Sequence, residues 1–197
     1  MIAEQAAQQP TRVAVVGTSC AGKTTLARSV SRALGAPHVE LDVLYWGPNW
    51  TPRPVEEFRS RVQTAVAAPA WVIDGNYSAV RDLVWREATT LVWLNYSFAV
   101  VFSRAVLRTL RRVITREELF AGNRESLRSI TDPDWIPWWV LRTHSRRRRE
   151  YAARLRQPEF AHLEVFELTQ PSHADSFLTA SGTIRRDRGA GWRVRYP

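Results

Sequence analysis

The sequence predicts an α/β protein, with a parallel sheet covered by helices on both faces. Three observations lead there. Short Val-rich apolar runs alternate along the chain with longer stretches of helical periodicity. A glycine-rich turn closes the first apolar run and opens the first helical stretch. The 197 residues, 45% of them hydrophobic, are enough for one core and rather few for two.

Taken in order, "RVAVVG" reads as a buried strand ending at glycine, and "TLARSVSRALG" as a helix that stops at Gly35. "HVELD" is the second strand, ending at Asp42. "WVIDG" is the third, "TTLVWLN" the fourth and "HLEVFEL" the fifth. Between them "PVEEFRSRVQTAVAA", "SAVRDLVWREA" and "FAVVFSRAVLRTLRRV" carry helical periodicity. Residues 45–54, "YWGPNWTPRP", form a loop rich in proline and large aromatics. Residues 115–134 are polar. A Trp-rich, then Arg-rich helix follows, "WIPWWVLRTHSRRRREYAARL". One domain is expected over residues 11–181, with disorder in residues 1–10 and in the basic tail 182–197.

Composition excludes several classes. Cys20 is the only cysteine, so there is no disulfide framework and no cysteine metal site, and a reducing, cytoplasmic setting is expected. The four histidines have no metal-ligand spacing. The N-terminal stretch lacks the basic and apolar regions of a signal peptide. The longest apolar stretch, 91–107, is interrupted by Asn95, Ser97, Ser103 and Arg104, so no membrane association is expected. Asn-x-Ser/Thr triplets at Asn49, Asn76 and Asn95 are coincidental without a secretory route. A net charge of +9 suits an anionic partner.

The glycine-rich turn, Gly17-Thr-Ser-Cys-Ala-Gly22-Lys23-Thr24, matches G-x-x-x-x-G-K-[ST] between a strand and a helix. Glycines let the backbone wrap phosphate oxygens, and successive N–H groups at a helix N-terminus face the anion. Gly17, Ser19, Cys20, Ala21, Gly22, Lys23, Thr24 and Thr25 are therefore the expected nucleotide-binding residues. Thr24 offers its hydroxyl to Mg²⁺. Lys23 is the only lysine in the chain. Its compact ammonium on a flexible stem can reach the β- and γ-phosphates where a planar guanidinium fits poorly. The lone lysine also leaves no Asn-Lys-x-Asp guanine-reading motif, which favours ATP.

With this P-loop, "LDVLYWGPNW", "WVIDGNYS" and the Arg-rich helix in this order, residues 12–168 resemble the small P-loop kinases. These include adenylate kinase-like and shikimate or gluconate kinase-like enzymes. More narrowly the chain is similar to a bacterial group labelled DNA topology modulation protein or adenylate kinase-like ATPase, which shares the Leu-Asp-x-Leu-Tyr-Trp-x-Pro-Asn-Trp and Ile-Asp-Gly-Asn-Tyr-Ser signatures. The resemblance implies a three-layer P-loop NTPase fold with sheet order 2-3-1-4-5 and a helical lid at about 115–135. It implies that Asp74 holds Mg²⁺ through water and that Asp42 meets the acceptor hydroxyl. Arg104 and Arg108, one turn apart, match lid arginines that stabilise the transferred phosphoryl. Arg124, Arg142, Arg146 and Arg147 are further lid cations. Gln170, in the loop after the fifth strand, is expected beside adenine.

The chain departs from nucleoside monophosphate kinases after the third strand. Those usually read Asp-Gly-Phe-Pro-Arg, whereas here Asn76, Tyr77 and Ser78 follow Gly75, and Arg81 comes later. Asp42, Tyr45, Trp46, Asp74, Asn76, Tyr77 and Arg81 are the candidate acceptor residues, with Trp50 a further aromatic in the loop. The expectation is an ATP-dependent, Mg²⁺-dependent phosphotransferase acting on a small molecule, with a nucleoside or nucleotide among the candidates. The alternative is a nucleic-acid-binding P-loop ATPase or regulator of DNA topology. The basic tail is expected to bind nucleic acid weakly and without sequence preference.

Overall fold

The computed structural model describes residues 11–124 and 135–183. The expected disordered N-terminus, nearly all of the basic tail and the middle of the expected lid lie outside the described residues.

Five strands form one all-parallel sheet: β1 (Arg12–Gly17), β2 (His38–Glu40), β3 (Trp71–Asp74), β4 (Thr90–Leu94) and β5 (Glu164–Leu168). Their order is β2-β3-β1-β4-β5, as the resemblance implies. Register is continuous, with Val15 opposite Asp74 on one side and Val92 on the other. Alternation divides the strands between two cores. Val13, Val15, Val72, Val92, Leu94, Phe166 and Leu168 pack against α1 (Lys23–Leu34), α5 (Phe98–Thr115) and α7 (Pro171–Thr183). Ala14, Val16, Trp71, Ile73, Leu91 and Trp93 face the opposite way, against α3 (Val55–Val66) and α4 (Arg81–Glu87). The long helix α6 (Ile136–Arg154) serves both layers. Val140 near its start joins the first core and Tyr151 near its end joins the second.

Two local assignments change. Strand β2 stops at Glu40, and Leu41–Tyr45 form a short helix, α2. Asp42 therefore projects from the first turn of α2 instead of from a strand end. Five residues are too few for periodicity to reveal a helix. The sequence also gives no helical signal over 171–183, where α7 follows a proline at its first position. Among the described residues no helix is long and apolar enough to cross a membrane.

Candidate active site

The site lies at the C-terminal edge of the sheet, where β1, β2 and β3 deliver the P-loop and the two acidic residues. Gly22 caps α1 with φ +99°, a left-handed conformation that a side chain would strain. Residues 18–22 then turn back on themselves, with Ala21 N–H bonded to Thr18 O at 3.1 Å. Lys23 folds over this turn and donates from Nζ to Thr18 O at 3.2 Å. Burial pulls the Lys23 ammonium below its ordinary pKa, and the carboxylates of Asp42 and Asp74 oppose that shift. One cation thus feels both acids.

Asp74 is buried at the end of β3. Its Oδ1 accepts from the Thr24 hydroxyl at 3.1 Å, and its Oδ2 meets His38 Nε2 at 2.7 Å. A hydroxyl and a carboxylate side by side at the helix N-terminus fit the needs of Mg²⁺ held by one side chain, water and substrate oxygens. Among the described residues no cluster of three or more His, Cys, Asp or Glu offers an all-protein cage. The oxygen donors of the pair fit a hard cation such as Mg²⁺. His38 was not singled out in the sequence, because only the β2–β3 pairing brings it to Asp74.

The next three residues each reach a different part of the site. Gly75 has φ +147°, and a Cβ there would stand 2.6 Å from Leu41 Cβ. Asn76 uses both ends of its amide. Its Nδ2 donates to Gly17 O, while its Oδ1 accepts from Gly17 N–H at 3.3 Å and from the Tyr151 hydroxyl at 2.5 Å. Asn76 therefore braces the P-loop's first glycine against α6, which leaves its amide little capacity for an acceptor. Tyr77 donates its hydroxyl hydrogen to Asp42 Oδ1 at 2.5 Å. Burial, together with the Asp42 charge and that hydrogen bond, pushes the Tyr77 phenol well above its ordinary pKa, so it stays a donor.

Tyr45, Trp46, Trp50, Phe58 and Tyr77 form one aromatic cluster. Ring centroids are 4.4 Å apart for Tyr45 and Tyr77 and 5.6 Å apart for Trp46 and Trp50. Trp50 is fixed by Asn123, whose Oδ1 accepts from Trp50 N–H at 2.9 Å. The Asn123 Nδ2 donates to Gly47 O at 2.9 Å. This buried Asn ties the residues after α5 to the 46–50 loop, and no local sequence signal marks it.

The arginines divide. Arg104 donates to Ala21 O at 3.0 Å and lies over Tyr96, 5.4 Å from the ring centroid, so it buttresses the P-loop. Arg108 is half-buried on the same helix, and its Nε has no hydrogen-bond partner among the described residues. Arg147 is partly buried over Trp139, 5.4 Å from the ring centroid. Burial lowers its pKa, and its charge is felt at Lys23. Arg81 binds Glu150 at 2.6 Å between the rings of Trp85 and Tyr151 and lines a cavity with Asn76 and Tyr77. Arg124 is exposed and paired with Glu118 at 3.3 Å. Arg142 and Arg146 are exposed on α6, Thr25 is exposed on α1, and Gln170 is exposed just before α7.

No family model matches the sequence, and no curated protein matches it. Solved structures do share the architecture. A gluconokinase from Sinorhizobium meliloti 1021 is similar with a TM-score of 0.52 at 16% identity, over 90% of this chain and 94% of that one. A shikimate kinase from Bacteroides thetaiotaomicron is similar with a TM-score of 0.51 at 17% identity, over 90% of this chain and 99% of that one. The chain thus has the fold of the small P-loop kinases.

Proposed function

We propose that the protein is an ATP- and Mg²⁺-dependent phosphotransferase acting on a small hydroxyl compound. The observation that carries this reading is a pair of carboxylates with different partners, Asp74 bonded to the first turn of the helix that Lys23 opens and Asp42 bonded to Tyr77. Asp74 is bound to Thr24 and His38, on the side suited to the metal. Among the described residues the Asp42 carboxylate is bound to Tyr77 through Oδ1, which leaves its second oxygen for the acceptor.

The P-loop backbone and Lys23 hold the β- and γ-phosphates of ATP. Thr24 and Asp74 would hold Mg²⁺, which would supply charge neutralisation at those phosphates. Asp42 Oδ2 orients the acceptor hydroxyl and takes its proton as the oxygen bonds to the γ-phosphorus. The bond from that phosphorus to the β,γ-bridging oxygen breaks, and ADP leaves with the electron pair. Arg147 and Arg108 face charge that spreads over the transferred group. Adenine lies by the loop at Gln170. Tyr45 and Trp46 wall the acceptor, and the lone thiol of Cys20 fits a reducing, cytoplasmic setting.

Transfer of label from γ-labelled ATP to a panel of small hydroxyl compounds tests the reading. Asp42→Asn is expected to remove transfer while ATP affinity changes little. Equal loss of ATP binding and transfer in this variant, or ATP hydrolysis with no acceptor labelled, overturns it.

A further inference from the structure

The fold separates charge. Residues 40–87, which build the acceptor side around Asp42, carry seven carboxylates against five arginines in a chain of net charge +9. Residues 98–156, which include α5 and α6, carry fourteen arginines against six carboxylates. The arginines of the first group that come near Asp42 or its supporting loop are each taken by an acid. Arg53 pairs with Glu57 at 3.2 Å. Arg59 forms a two-pronged pair with Asp82 at 2.8 and 3.0 Å. Arg81 is held by Glu150 and sandwiched by two rings.

Recognition of a carboxylate or a phosphomonoester calls for a guanidinium or ammonium aimed at it, since a buried anion without a partner is costly. On the acceptor side each of these three guanidiniums already has an acid partner, and of the three only Arg53 keeps a buried Nε without a hydrogen-bond partner among the described residues. That side offers instead the Asp42 carboxylate and an aromatic wall. Such a surface attracts ring faces and ammonium groups and repels anions near Asp42.

We infer that the phosphoryl acceptor is a ring-bearing hydroxyl compound with no carboxylate or phosphate of its own, neutral or amine-bearing. The inference rests on the phosphotransferase reading and narrows it, since it excludes sugar acids and nucleoside monophosphates. Specificity follows from ion pairs that neutralise the acceptor side, while the cations that serve the donor phosphates remain on α1, α5 and α6.

Matched pairs test it. ADP release at saturating ATP and Mg²⁺ is measured with adenosine against adenosine 5′-monophosphate, and with glucose and glucosamine against gluconate. Quenching of tryptophan fluorescence reports acceptor binding without turnover, and calorimetry reports ATP binding separately. At least one neutral or amine member is expected to raise ADP release about ten-fold over its acidic counterpart, equivalent to about 1.4 kcal/mol. Glu150→Gln, which releases Arg81, is expected to narrow that ratio and leave ATP affinity unchanged. Faster turnover or tighter binding of the acidic members overturns the inference, and so does the absence of any response to the neutral and amine members. If ATP binds normally in those cases, the phosphotransferase reading stands and only the acceptor class is wrong. If ATP does not bind, both fall.

Discussion

Tyr77 and Asp42 are 35 residues apart in sequence and are joined by a hydrogen bond of 2.5 Å, with the phenol donating to Oδ1. The bond fixes which carboxylate oxygen is left over, and that makes Tyr77 a positioning residue for Asp42. Tyr77→Phe keeps the ring in the aromatic cluster and removes only the donor. A hydrogen bond to a charged group contributes about 1.5–3 kcal/mol, so kcat is expected to fall by roughly ten-fold or more. KM for ATP should stay within about two-fold. Steady-state kinetics on this variant and the native chain decides it. An unchanged kcat means that Tyr77 only packs.

Gly75 is the point where the β3 exit passes Leu41. A Cβ at residue 75 would lie 2.6 Å from Leu41 Cβ and 2.8 Å from its Cδ1 at a left-handed φ. Gly75→Ala is expected to cost at least about 2 kcal/mol from crowding and backbone strain together. Leu41→Ala in the same chain keeps its Cβ, so it should recover only the crowding from Cγ and Cδ1 and leave the Cβ contact and the strain. Urea denaturation of the single and double variants measures both. Full additivity of the two losses would falsify the contact.

Much of the site was legible because its chemistry is local. The P-loop turn, the lone lysine and the acid at the end of β3 are written in consecutive residues, and alternation of apolar runs announces the sheet. What escaped the sequence depends on contacts between distant segments. Asn76 looked like an acceptor ligand, yet Gly17 and Tyr151 engage its amide. Arg81 looked available, yet Glu150 on α6 holds it. His38 gave no signal, because parallel pairing of β2 with β3 is what brings it to Asp74. A side chain's partner 36 or 75 residues away cannot be read from periodicity.

The Arg59–Asp82 pair makes the acid side of stability depend on α3. Hydrogen bonding from Arg59 holds the Asp82 carboxyl below the usual carboxylate range. A depressed folded-state pKa contributes stability that is present above the unfolded value and is lost as pH falls through the folded value. Both side chains are partly exposed, 34% and 43%, so screening by solvent keeps the contribution small. Asp82→Asn is therefore expected to lower Tm slightly at neutral pH and to flatten its decline from about pH 5 downward. Thermal scans across pH at low and high salt check it. The difference between variants should shrink at high salt.

Lys23 is the position where charge alone is insufficient. Its Nζ sits against Thr18 O inside a turn of backbone, which leaves little room for a guanidinium. Lys23→Ala should weaken ATP binding by roughly 10- to 150-fold, the loss of a charge-assisted hydrogen bond. Lys23→Arg should lose most of the same affinity despite its charge. Calorimetric titration with ATP measures both variants. Near-normal affinity and turnover in the Arg variant contradicts the geometric account.

Arg104 and Arg147 are both cations beside the P-loop, and their partners predict different defects. Arg104 donates to Ala21 O and lies against Tyr96, so it supports the phosphate cradle before any chemistry occurs. Its removal should loosen the ground-state site. Arg104→Ala is expected to raise KM for ATP by about five- to ten-fold, with kcat changed less, the pattern of lost uniform binding. Arg147 lies over Trp139, and its charge lowers the Lys23 pKa. Two cations acting on one place stabilise most where negative charge builds on a phosphoryl in transfer. Arg147→Ala should therefore lower kcat by about 100-fold or more with a small change in KM for ATP. Arg147→Lys should restore part of the loss, because a cation is needed at that place and its fork is not. Initial-rate kinetics on the three variants separates the roles. If Arg104→Ala lowers kcat and spares KM while Arg147→Ala does the reverse, the assignments are exchanged. If Arg147→Ala changes neither, α6 contributes structure alone and the transferred phosphoryl is stabilised by Arg108 and Lys23.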